Sequence, residues 1–166
     1  MTKTIFAFDL GTKCGWAIYD GQKIKSGVKE LKATRFQSAD MRFVNFRDFL
    51  DGLKKQTQKN TQLHGAAPIY FEEVRKHIGV DAAHCYGGFK ATLTTFCNDS
   101  KLSWQGVPVG TIKKHITGKG NADKLAVVKA VQSLGYNPKD DNEADAIALL
   151  EYAMQLEGIT CNRKAK

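Results

Sequence analysis

The sequence predicts an α/β fold: one mixed five-stranded sheet, an antiparallel three-strand meander followed by parallel strands, flanked by helices. Three observations predict it. The N-terminal part holds three short stretches rich in β-formers and separated by turn residues, the pattern of a meander. Two later strand-like stretches each follow a segment of helical periodicity, the alternation that builds parallel pairs. The chain has 166 residues, 42% hydrophobic and 25% charged. That is ordinary for one folded domain, which buries about two-thirds of the surface its unfolded chain exposes.

Residues 3–10 alternate and form a strand that ends at Asp9, Leu10 and Gly11. Residues 15–19 form a second strand and 22–28 a third, joined by Asp20-Gly21, a strong hairpin signal. From Ser38 the pattern turns helical, with Met41, Val44, Phe49 and Leu53 on one face and charges on the other. Residues 54–60 are a polar, basic helix end or loop. Residues 67–74 form a fourth strand, apolar enough at Ile69-Tyr70-Phe71 for burial on both faces, with Glu72 and Glu73 at its end. Residues 81–100 are helical, striped by Tyr86, Phe89, Leu93 and Phe96. Residues 102–107 make a short fifth strand closed by Pro108. A short helix over 111–117, a mobile turn at Gly118-Lys119-Gly120 and a helix capped by Asn121 and running to about Leu134 follow. Gly135 to Pro138 break the pattern before a last helix over 141–157. The domain spans 1–158, and 159–166 is a basic, flexible tail.

No apolar run approaches the ~20 residues of a membrane span. Asp9 interrupts the N-terminal apolar stretch too early for a signal peptide. A soluble, cytoplasmic protein without a membrane partner is expected. Cys14, Cys85, Cys97 and Cys161 show no zinc-ligand spacing. His84 beside Cys85 is the nearest thing to a cluster, and buried reduced thiols are the better reading. The formal charge of +8 calls for a polyanionic partner.

Two acids stand where strands are poor places for them. Asp9 closes an otherwise apolar first strand, and Glu72 closes the buried fourth one. Buried carboxylates cost free energy unless they are paired or bind a metal. Adjacent parallel strands ending side by side bring the two within coordination reach. The last helix adds Asp141 and Asp145 at i, i+4 and Asn142 and Asp145 at i, i+3, spacings that share a helical face. Such a cluster suits hard divalent cations, and two ions ~3.5–4 Å apart can drive phosphodiester hydrolysis. The competing reading is that Asp140, Asp141 or Asn142 caps the helix, which leaves Asp145, a turn further in, without a task.

The stretch Phe8-Asp9-Leu10-Gly11-Thr12-Lys13-Cys14-Gly15-Trp16-Ala17 resembles the first-strand motif of the RuvC-like Holliday junction resolvases, in the ribonuclease H-like superfamily. Tyr70-Phe71-Glu72-Glu73-Val74 resembles their second acidic motif, and Asp141-Asn142-Glu143-Ala144-Asp145-Ala146 their third. Order and intervals match across almost the whole chain. The resemblance implies that Asp9, Glu72 and Asp145 bind metal. It places Asn142 where the bacterial members carry a fourth acid; Asp141, one residue earlier, lies within a similar helical arc and can substitute. Glu143 points about 200° away from Asp145 and ranks lower. Glu73 faces away from Glu72 if the strand continues.

Residues 112–124, with Lys113, Lys114, Lys119 and Lys124, resemble the family's DNA-contacting stretch. Where bacterial members carry an aromatic that meets unpaired bases, this chain has Arg75-Lys76-His77, so electrostatic grip by Arg75 and Lys76 stands in for stacking. The resemblance implies an endonuclease that uses Mg2+, with Mn2+ as a substitute and two ions per site. It would resolve four-way DNA junctions as a homodimer in a bacterial or phage-infected cell, leaving 3′-hydroxyl and 5′-phosphate ends. The helix over 81–100 is the candidate dimer interface, unless its stripe simply packs on its own sheet. The alternatives are a nuclease of the same fold acting on flaps, forks or RNA–DNA hybrids, and a non-catalytic module that binds branched DNA.

Overall fold

The computed structural model describes residues 3–60 and 67–159. Its elements are β1 (Ile5–Asp9), β2 (Lys13–Tyr19), β3 (Ile24–Glu30), α1 (Met41–Asn60), β4 (Ile69–Glu73), α2 (Val80–Ser100), β5 (Trp104–Pro108), α3 (Val109–Thr117), α4 (Lys124–Ser133) and α5 (Asp141–Leu156). The strands form one sheet of order β3-β2-β1-β4-β5. β1–β2 and β2–β3 are antiparallel, β1–β4 and β4–β5 parallel, as the meander and the helical crossovers require. Among the described residues no helix is long and apolar enough to cross a membrane.

Alternation along the strands divides the interior into two cores. Ile5 and Ala7 of β1 and Tyr70 of β4 face one core, filled by α5 together with Ile112, Val127 and Val131 of α3 and α4. Phe6, Phe8, Ile69 and Phe71 face the other, under α1 and α2. α5 is buried from Ala144 to Leu150 save for Asp145, and its alanines let it lie close on the sheet. The second core is aromatic: Phe46 meets Phe8 and Phe89 edge-on at 6.2 and 5.4 Å.

Several expectations change. The β2–β3 turn is Gly21-Gln22, one place later than expected, because Asp20 N–H donates to the Lys23 carbonyl. The Asp20 carboxylate then closes the turn by accepting from the Gln22 and Lys23 amides. The basic stretch is the end of α1, the first of the two readings given for it; the helix buries Phe46, Leu50, Leu53 and Thr57, while Val44, expected on the same face, is 49% exposed. The pair Phe43 and Phe46 sets the register of that face, and Val44 falls outside it. Asp123, not Asn121, caps α4, accepting from Ala126 N–H at 2.8 Å.

The turn after α3 is tied rather than loose. Gly118 adopts the left-handed conformation (φ 82°) and donates to the Lys114 carbonyl, and Lys119 N–H donates to Thr117 Oγ1. In α2, Phe89, Leu93 and Phe96 are buried within the second core, so the stripe packs on its own sheet, the alternative to a dimer seam formed by these residues. Ile159, assigned to the tail, packs against the first core; the rest of the expected tail, with Cys161, lies outside the described residues.

Candidate active site

The alternation that sorts the two cores also sorts the acids. Asp9 follows Ile5 and Ala7 on the α5 face of β1, and Glu72 follows Tyr70 on the same face of β4. Phe8 and Phe71 are the last paired residues of these parallel strands, so Asp9 and Glu72 come next on neighbouring strands. α5 brings Asp145 to them. Its first turn lies directly over Gly15, the β2 partner of Asp9; a Cβ on Gly15 would stand 1.9 Å from the Asn142 carbonyl oxygen. Only glycine admits that approach. The N-cap is built by Asp140, which accepts from Glu143 N–H at 3.0 Å.

The three carboxylates repel one another. Burial and then the Glu72 and Asp145 charges hold Asp9 well above the usual carboxylate range. Glu72 is pushed up to about 7 by burial and then by Asp145, against Lys113 and Lys124. Asp145 rises to about 6, chiefly through burial, with Lys124 opposing and Asp141 adding to the rise. None of the three makes an ion pair or a side-chain hydrogen bond among the described residues. Nor do three or more described His, Cys, Asp and Glu side chains close in on a single point as metal ligands would. The donor chemistry nonetheless fits a hard cation: like-charged oxygens, unpaired and partly desolvated, stay apart until a cation offsets their repulsion.

The remaining candidates divide. Asp141 is ion-paired with Lys124, whose hydrogen bond holds it below the usual carboxylate range. Asn142 donates to Asp140 Oδ2 at 3.4 Å, and its backbone carbonyl faces Gly15. Glu143 turns away into the fold, accepting from Ser26 Oγ at 2.7 Å and Lys139 N–H at 2.8 Å. Glu73 lies on the far face, near Phe71, and pairs with Arg75 at 3.3 Å and Lys90 at 3.7 Å. Arg75 is therefore engaged, while Lys76 is exposed.

Lys113 and Lys124 lie close enough to lower the proton affinity of Glu72 and Asp145. Lys114 lines an open groove with Thr111, His115, Gly120 and Tyr152, and Lys119 projects from the tied turn. Sequence reasoning missed Tyr86 by counting it as part of an apolar stripe. Its hydroxyl donates to the Glu72 carbonyl at 2.9 Å and accepts from Val74 N–H at 3.2 Å. The available signal was chemical: a tyrosine among phenylalanines and leucines brings a hydroxyl that needs a partner.

No family model matches the chain. The crossover junction endodeoxyribonuclease RuvC of Prochlorococcus marinus (strain NATL1A) is 30% identical over 154 residues, covering 87% of this chain and 94% of that protein. The fold is similar to that of Thermus thermophilus RuvC, with a TM-score of 0.70 at 18% identity over 93% of this chain and 96% of that one. It is similar also to T. thermophilus RuvC in complex with Holliday junction substrate, with a TM-score of 0.71 at 18% identity over 92% and 96%.

Proposed function

Since this chain belongs to the RuvC family of crossover junction endodeoxyribonucleases, we propose that it hydrolyses phosphodiester bonds in branched DNA and resolves four-way junctions by paired nicks. The observation that carries this reading is the set of Asp9, Glu72 and Asp145 on one face of the sheet, unpaired, with Lys113 and Lys124 beside them. These three acids hold the metal, Asp141 completes the set once Lys124 turns to DNA, and Asn142 offers a neutral oxygen on the same helix.

When bound, Mg2+ or Mn2+, two ions per site, supplies Lewis-acid stabilisation of the phosphate and a water of lowered pKa. The chain's own residues do the rest. The strand ends and α5 fix the backbones of the three acids on one face, so only side-chain movement remains when metal and scissile phosphate bind. Lys113 and Lys124 offset the charge that develops on the phosphate oxygens. Lys76, Lys114 and Lys119 hold the backbone by charge, and Arg75 joins them if it leaves Glu73. The products carry 3′-hydroxyl and 5′-phosphate ends.

Asp9, Glu72 and Asp145 make one site for one cut, and a four-way junction has approximate two-fold symmetry. A homodimer supplies the two nicks on the symmetry of the substrate. Acting on cellular DNA, the protein works in the cytoplasm of a bacterial or phage-infected cell. Cleavage of matched four-way, three-way, flap and linear duplex substrates, mapped at nucleotide resolution with Mg2+, tests the reading. Symmetric paired nicks in the four-way junction are expected. Cleavage of flaps alone would replace the resolvase with a flap nuclease, and binding without cleavage in either metal would leave a branched-DNA-binding module.

A further inference from the structure

We propose that Tyr86, on the opposite layer of the fold, is a positioning residue for Glu72, which it serves by completing the hydrogen bonding of β4 beyond the end of β1. The inference rests on the reading of Glu72 as a metal-binding carboxylate. In a strand, successive residues direct their backbone N–H and C=O groups to opposite neighbours. The Pro68 carbonyl accepts from Phe6 N–H, so even-numbered residues of this stretch address β1, and Ile69 N–H donates to Ser103 on the β5 side. Glu72 C=O and Val74 N–H therefore face β1, but the β1–β4 pairing stops at Phe8 and Phe71.

Both groups lie past the last rung, where no partner strand remains to satisfy them. One oxygen serves them both: the Tyr86 hydroxyl donates to the Glu72 carbonyl at 2.9 Å and accepts from Val74 N–H at 3.2 Å. The ring is held in turn by His77, centroid to centroid at 4.8 Å. The peptide following Glu72 is thereby fixed at the point where the strand frays into the 74–79 segment. That peptide sets the direction of the Glu72 backbone and hence of its carboxylate. Displacement by about 1 Å at a reacting centre costs as much as 10²-fold in rate.

Tyr86→Phe removes the hydroxyl and leaves the ring against His77. Wild type, Tyr86→Phe, His77→Ala and Glu72→Gln are compared on one four-way junction. Tyr86→Phe is expected to bind the junction with wild-type affinity and cleave bound junction about 10–100-fold more slowly. It should also need more Mg2+ for half-maximal rate, and its Val74 amide should exchange faster in metal-free protein. His77→Ala should move the same way by less. A merely structural role would lower the melting temperature alone, with bound-state rate and Mg2+ dependence unchanged below the transition; that result overturns the proposal. Wild-type protein that leaves the junction intact overturns the reading of Glu72 itself, and the proposal with it. Wild-type cleavage abolished by Glu72→Gln but untouched by Tyr86→Phe overturns the positioning role alone.

Discussion

The carbonyl oxygen of Asn142 occupies the space where a side chain on Gly15 would begin, 1.9 Å from the ideal Cβ position. Asp9 pairs with Gly15 across β1 and β2, so this approach sets how near α5 carries Asp145 to Asp9. Gly15→Ala must push backbone against backbone, and helix and sheet move apart. A loss of about 1–3 kcal/mol in stability is expected, with a fall in cleavage of about 10²-fold from displacement of Asp145. Thermal melting and single-turnover cleavage check both. Unchanged cleavage in a folded Gly15→Ala protein would detach the helix position from the chemistry.

Asp9→Asn, Glu72→Gln and Asp145→Asn each remove a negative charge that the other two acids oppose. Cleavage should fall by about 10²–10³-fold or more, from the scale of losing one preorganised electrostatic group upward. Junction binding should hold or tighten, because a charge repelling phosphate has gone. Parallel binding and cleavage assays on one junction decide it, and an Asp9→Asn protein cutting at wild-type rate removes Asp9 from the site.

The raised proton affinities of Asp9, Glu72 and Asp145 give the metal-free protein a definite pH trend. Folding favours their protonated forms, so this contribution is full below the unfolded carboxyl range near 4. It is lost as pH rises through about 6 for Asp145 and about 7 for Glu72. Melting temperature in a chelator should therefore fall between pH 5 and pH 8. Mg2+ rewards the ionised forms and should flatten or reverse the slope. Glu72→Gln should weaken the chelator trend, and a slope that survives this substitution at full size comes from elsewhere.

Lys113→Ala and Lys124→Ala should each reduce the slope of log affinity against log salt by about 0.9, the value of one phosphate contact on duplex DNA. Lys124→Ala also releases Asp141 from its ion pair, so it should alter the metal dependence of cleavage where Lys113→Ala does not. Filter binding across a salt series, followed by metal titration, separates the two lysines.

Sedimentation of the free protein and of its junction complex should give a two-fold dimer in the complex. The buried stripe of α2 is excluded as its seam, so Leu93→Lys should unfold the protein rather than yield a stable monomer. A protein monomeric in both states that leaves single nicks is not a resolvase.

Sheet and helices were legible because alternation and helical periodicity are properties of the chain itself. The candidate site stood out through its oddity: Asp9 and Glu72 come at the ends of apolar runs, and Asp145 sits a turn beyond any capping role. Where two neighbours competed for one task, the decision lay outside local sequence. Asp123 rather than Asn121 caps α4, and Asp141 faces Lys124 while Asn142 turns its carbonyl toward Gly15; each depends on how α4 and α5 dock. Tyr86 was hidden for a different reason. Its ring obeys the apolar stripe, and its hydroxyl answers a break in a ladder between strands remote in sequence.

The sheet separates two layers that mutate under different rules. On the α1–α2 side a substitution is judged by volume and shape, because Phe6, Phe8 and Phe71 ask only to be covered. On the α5 side the same helix is both keel and cargo, since the residues that seat it also aim its acids. An engineer could regraft the covering layer wholesale while leaving the chemistry in place, with one exception. Tyr86 reaches around the end of the sheet, and any replacement layer inherits the duty of delivering a hydroxyl to the last peptide of β4.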